Sequence, residues 1–96
     1  MTKDKRYQTV KHLISSGYIK SFTEIFDTIP KSLIYKDLGM NSVRFNNLLR
    51  NVDRFVLKDL FRIAALLEIE EHVLLELILH DYYSQKKKGK GSGKKG

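Results

Sequence analysis

The chain has no cysteine and a single proline in 96 residues. Without cysteine there are no disulfides and no thiolate metal sites, a composition that fits a reducing compartment. No apolar stretch approaches the ~20 residues that a membrane span requires. The opening "MTKDKRYQTV" lacks the apolar run of a secretory signal, so the expected location is cytoplasmic. Strand-period alternation and internal repeats are both missing. So are a Gly-rich phosphate loop, an HExxH pair and any Ser/His/Asp grouping with interpretable spacing. No enzyme activity, cofactor or metal site is expected. His12, His72 and His80 are scattered and read as structural or surface residues.

The sequence does carry an uneven distribution of charge. The formal net charge is +7. Residues 84–96, "SQKKKGKGSGKKG", hold six lysines and no acid, which leaves +1 on residues 1–83. Within that body, residues 1–62 hold twelve Lys/Arg against six Asp/Glu, and residues 63–83 hold five acids and no Lys/Arg. A basic first two-thirds followed by an acidic segment favours an anionic partner for the first part. The Gly/Lys/Ser tail cannot bury a core and is expected to be disordered. It is also a candidate for non-specific phosphate binding.

Residues 1–83 read as one domain. Asp4 to about Ser16 has Tyr7, Val10, Leu13 and Ile14 on one helical face, with Gly17 as its terminator. Ser21 and Glu24 have the spacing of a capping box, so Phe22 to about Thr28 is expected to be helical. Pro30 suits a first helical turn, predicting a helix from Pro30 to Leu38 with Gly39 as its left-handed cap. Asn41 is a good N-cap for Ser42 to about Asn51. A loop then leads to "LKDLFRIAALLEI" and to "EEHVLLELILHDYY". Val73, Leu74, Leu75, Leu77, Ile78 and Leu79 cannot all face one small core. The surplus suggests a homodimer interface on the last helix, which Tyr82 and Tyr83 would continue.

The stretch "KDLGMNSVRFNNLLRN", Lys36–Asn51, has two helices around a glycine turn. The turn needs a residue free to go left-handed, and Gly39 supplies it. Ile34, Leu38, Met40, Phe45 and Leu48 fill the apolar positions that close the angle between the helices. With "FVLKDLFRIAALLEI" following at the right distance, residues 31–69 resemble the helix-turn-helix domain of phage-repressor-like regulators of the Cro/C1, or XRE, type. Those regulators commonly end their fourth helix with "LAKALGV" and add a further helix. Some positions depart from the family pattern. Tyr35 stands where a small residue is usual, Lys31 replaces a glutamine and Leu49 replaces a glutamate. Asn51, which tolerates the left-handed conformation, replaces a glycine.

The resemblance implies an all-α, five-helix repressor-like helix-turn-helix domain with an N-terminal helical extension, residues 1–29. It implies sequence-specific binding of double-stranded DNA by a small transcription regulator. The recognition helix would enter the major groove by its N-terminal end. Carried over position by position, the base contacts would be Asn41, Ser42, Val43, Arg44 and Asn47. Asn can pair with adenine, Arg with guanine, and Val can meet a thymine methyl. Phosphate contacts would fall to Lys31, Lys36, Arg50 and Arg54. Tyr35 and Leu49 keep open a rival reading, a protein-interaction module on this scaffold that does not read DNA.

Overall fold

The computed structural model describes the backbone of residues 4–93 and the side chains of residues 4–86. Five α-helices make up the fold: α1 (Arg6–Ser15), α2 (Lys31–Asp37), α3 (Ser42–Arg50), α4 (Leu57–Leu67) and α5 (Glu71–Gly93). Two short 3₁₀ segments, Thr23–Asp27 and Val52–Arg54, join them. No strand occurs among the described residues, and no helix there is long and apolar enough to cross a membrane.

Helical periodicity and the core agree for α1 and α3; of the apolar row expected on α4, Leu57, Leu60, Phe61, Ala64 and Leu67, the structure buries three and leaves Leu57 and Phe61 exposed. Tyr7, Val10 and Ile14 are the buried face of α1, Phe45, Leu48 and Leu49 that of α3, and Leu60, Ile63, Ala64 and Leu67 that of α4. They belong to one cluster running from Tyr7 to Ile78. Through its middle runs a chain of rings. Phe55 meets Phe22 edge-on at 5.7 Å, Phe22 meets Phe26 at 5.5 Å, Phe26 meets Phe45 at 5.7 Å, and Phe45 meets Tyr35 at 5.9 Å. Edge-to-face pairs at such spacings are favourable beyond their buried area. They weld the 3₁₀ segment of the N-terminal extension to α3. Tyr35 packs inward, its half-buried ring tilted against Phe45. Leu49 is also buried.

Several ends are closed by residues far away in sequence. Tyr7 is buried, and its hydroxyl donates to Asp37 Oδ2 at 2.7 Å, tying α1 to α2. Burial, with Asp37 beside it, pushes the Tyr7 hydroxyl well above the usual phenol range. Arg62 on α4 donates to the Leu38 carbonyl at 2.7 Å, satisfying an end of α2. The expected capping box at Ser21 forms only half. The Lys20 and Ser21 amides donate to Glu24 Oε1 and hold its carboxyl below the ordinary range. Ser21 Oγ caps no amide, and the segment is a five-residue 3₁₀ turn. Its free amide is served from α5 instead. Thr23 donates its backbone N–H and its hydroxyl to Asp81 at 3.0 and 2.8 Å.

Three boundaries also differ from the sequence reading. Pro30 stands just before α2 with an extended backbone (ψ 148°) rather than inside the helix. Asn51 closes α3 at φ −135°, outside the left-handed region. The last helix continues past Tyr83, and Gln85 makes defined contacts. Its amide donates to the Leu49 carbonyl at 2.7 Å and accepts from the Val52 amide at 3.3 Å. Ser84–Lys86 are thus part of the fold rather than of a disordered tail, because Gln85 satisfies backbone groups that the end of α3 leaves open. Residues 94–96 lie outside the described residues.

At the end of α4 a non-glycine residue takes the left-handed conformation. Glu68 has φ 57° and ψ 45°, and Ile69 N donates across it to the Ala64 carbonyl at 3.0 Å. This six-to-one bond is the usual C-terminal closure around a glycine. Glu68→Gly is expected to raise stability by about 0.5–1 kcal/mol, since a Cβ is disfavoured there. The exposed bond from Gln8 to Glu68 Oε1 at 3.2 Å is lost but counts for little. Urea unfolding of Glu68→Gly beside Glu68→Ala checks this. A midpoint that falls for the glycine variant would show that the glutamate side chain outweighs the strain.

Candidate functional site

Helix α3 is fixed at both ends and along its inner side. α2 ends with Gly39 at φ +72°, and Met40 N donates back to the Tyr35 carbonyl at 2.8 Å. A Cβ at position 39 would meet no neighbouring atom, so the glycine is required by its backbone angle and not by a clash at that atom. Asn41 then caps α3, its Oδ1 accepting from the Arg44 amide at 2.8 Å. Phe45, Leu48 and Leu49 pin the inner side, and Gln85 holds the C-terminal end. The outer side carries Ser42, Val43, Arg44, Asn47 and Arg50, all exposed.

Two shallow grooves flank this outer side. The first, about 500 Å³, is lined by Asn41, Val43, Arg44, Asn47, Leu48 and Arg54. The second, about 440 Å³, is lined by Thr23, Phe26, Lys31, Asn46, Leu49 and Arg50. Neither lining contains an acid. Four of the five residues expected at base edges and one expected phosphate ligand therefore share the first groove. Lys31 and Arg50 share the second, with Lys31 Nζ donating to Asn46 Oδ1 at 3.3 Å. Ser42 and Lys36 are exposed but line neither groove.

The polar partners refine the roles inferred from sequence. Asn41 spends its carbonyl oxygen on the cap, leaving only its amide hydrogens free for a base. Arg44 Nη2 lies 3.4 Å from Oδ2 of the buried Asp59, in the first turn of α4. The pair ties α3 to α4 and holds a guanidinium that would otherwise be free. Asn47 Oδ1 accepts from Arg50 Nη2 at 2.8 Å. A two-point contact from Asn47 to adenine needs both its amide oxygen and nitrogen, so Arg50 must swing away when it forms. Sequence reasoning missed Asp59, because an acid in a first helical turn is explained by the helix dipole alone. Nothing local in "LKDLF" marks it as the partner of a residue fifteen positions earlier.

The α4–α5 junction has the opposite character. A groove of about 800 Å³ at the α4–α5 junction is lined by Glu68, Glu70, Glu71 and Glu76 with Lys11 and an apolar floor that includes Ile69 and Val73. The three grooves reflect the division of charge along the chain: the acids of this one all come from residues 63–83, and none lines the two beside α3. Among the described residues no group of three His, Cys, Asp or Glu side chains is placed to hold a metal ion. No protein-family model matches the chain, and no similar curated protein or solved structure is found, so a functional reading rests on the geometry and charge of the α3 face.

Proposed function

We propose that this chain binds double-stranded DNA sequence-specifically, as a small cytoplasmic transcription regulator of the repressor-like helix-turn-helix type, with α3 as its reading helix. The observation that carries the reading is the first groove. Asn41, Val43, Arg44 and Asn47 converge there with Arg54 on an exposed, acid-free helix face. Amide, guanidinium and methyl groups are the types that read base edges, and Lys31, Lys36, Arg50 and Arg54 supply cations around them. Pairing through α5 into a symmetric dimer belongs to the same reading, because two copies of α3 would meet two half-sites.

The test is selection from a random duplex library by the full chain and by a form ending at Lys86, a boundary that keeps Gln85 in place. Enrichment of a common sequence by both forms is the expected result. In the enriched duplex, Arg44→Ala and Asn47→Ala should each cost about 1–3 kcal/mol and relax selectivity at one position. Arg54→Ala should weaken all duplexes alike and lower the salt slope by about one. Binding without selectivity that vanishes with the lysine tail would reduce the activity to non-specific phosphate attraction.

The rival reading, a protein-interaction module, has one observation in its favour. Val56, Leu57 and Phe61 are exposed at the start of α4, and clustered surface apolar side chains mark contact sites. Tyr35 and Leu49 give it no support, since both pack inward. Absence of duplex binding by either form would favour this alternative.

A further inference from the structure

Helix α5 buries Leu74, Leu77, Ile78 and Asp81 against the rest of the fold. On its other side Leu75, Leu79 and Tyr83 stay 37 %, 45 % and 58 % exposed. Spaced four residues apart, they form one stripe of about 12 Å along the helix. Water-facing leucines at helical spacing make a surface suited to another helix.

Charge along the same helix specifies the occupant. Glu71 and Glu76 lie in its first half, with Glu68 and Glu70 just before, and residues 63–83 contain no Lys or Arg. From Lys86 onward the sequence has lysines and no acid. Two copies laid parallel would set acids against acids and lysines against lysines. Laid antiparallel, each acidic start lies beside the other's basic end. Leu79 is midway between Leu75 and Tyr83. A two-fold axis through Leu79 therefore sets Leu75 against the partner's Tyr83 and Lys86 against the partner's His72, one residue from the partner's Glu71.

We propose that α5 is the interface of an antiparallel, two-fold homodimer centred on Leu79, its occupant a second copy of this chain. This deepens the pairing through α5 put forward above and does not depend on DNA binding. The apolar stripe supplies the attraction, and the charges choose the orientation. Salt then weakens the orientation preference more than the contact itself.

The chain has no cysteine, so introduced thiols report the pairing alone. In the full chain, Leu79→Cys is expected to give a disulfide-linked dimer on mild oxidation, because a residue near the axis meets its own copy within disulfide reach. His72→Cys and Lys86→Cys, each alone, should not cross-link, whereas a mixture of the two should. Self-linking of His72→Cys and of Lys86→Cys, with no gain on mixing, would mean a parallel pair and overturn the proposal. In sedimentation without DNA, the unmodified chain is expected at twice its 11.2 kDa mass and Leu79→Glu at the single mass. Unmodified chain that stays at the single mass at high concentration would also overturn it. Both results are obtained without DNA, so they stand or fall separately from the duplex-selection test.

Discussion

Phe45→Ala is expected to remove about 3–5 kcal/mol of stability, the cost of truncating a fully buried aromatic side chain. A domain of this size has about 5–15 kcal/mol in total, so the variant should be close to unfolding at room temperature. Phe45 has no exposed surface. Its ring sits between Phe26 and Tyr35, at 5.7 and 5.9 Å, and so joins the N-terminal 3₁₀ segment, α2 and α3 in one contact. Phe26 cannot close the gap without giving up its edge-on contact with Phe22. Urea unfolding followed by circular dichroism measures the loss, with Tyr35→Ala as comparison. Tyr35 ends the chain of rings and is only half-buried, so its truncation should cost clearly less. Equal losses, or a loss below about 1 kcal/mol for Phe45→Ala, would show that the rings do not hold α3 in place.

Asp81→Ala is the second large effect, expected at about 2–4 kcal/mol. Asp81 is 6 % exposed and accepts from both the amide and the hydroxyl of Thr23. Its removal takes away two hydrogen bonds to a carboxyl group and leaves the Thr23 N–H without a partner in a half-buried place. The neighbouring bond from Phe22 N to the Leu77 carbonyl, 3.3 Å, lies on the same seam between the 3₁₀ segment and α5. Loosening the seam should first expose the amides of Thr23–Asp27 to hydrogen exchange. Asp81→Asn keeps one acceptor oxygen and is expected to cost about half as much. A double-mutant cycle with Thr23→Val isolates the hydroxyl bond. Additive losses across that cycle would mean that the two side chains act independently.

Where an element is closed by its own neighbours, it was legible in the sequence. The Asn41 cap requires only an amide oxygen three residues before the Arg44 N–H, and the turn at Gly39 requires only a residue that tolerates positive φ. Both are local, and both formed as expected. The apolar spacing of α1 and α3 likewise set which side of each helix turned inward, whereas on α4 two members of the apolar row, Leu57 and Phe61, stay in water. Local reading failed where a distant side chain competed for the same group. Ser21 was the local candidate to cap the 3₁₀ segment, but Asp81 reaches its amide from 58 residues away. Asn51 was the candidate for a left-handed close of α3, but Gln85 satisfies that end from α5. The tail boundary at Tyr83 failed for the same reason.

Within the candidate site the division is similar. The exposure of Ser42, Val43, Arg44 and Asn47 followed from helical periodicity, which needs only the position of Phe45 and Leu48. The restraint on Arg44 by Asp59 and the placing of Arg54 beside Asn41 and Asn47 depend on how α4 and its preceding turn cross α3. The sequence by itself determined the helices, the inward faces of α1 and α3 and the glycine turn, because each is set by residues within a turn or two of one another. Only the tertiary structure decided which polar group closes each helix end, which cations share a groove, and which leucines of α5 remain in water. Those depend on contacts between residues tens of positions apart, and the pattern of any one segment carries no record of its partner.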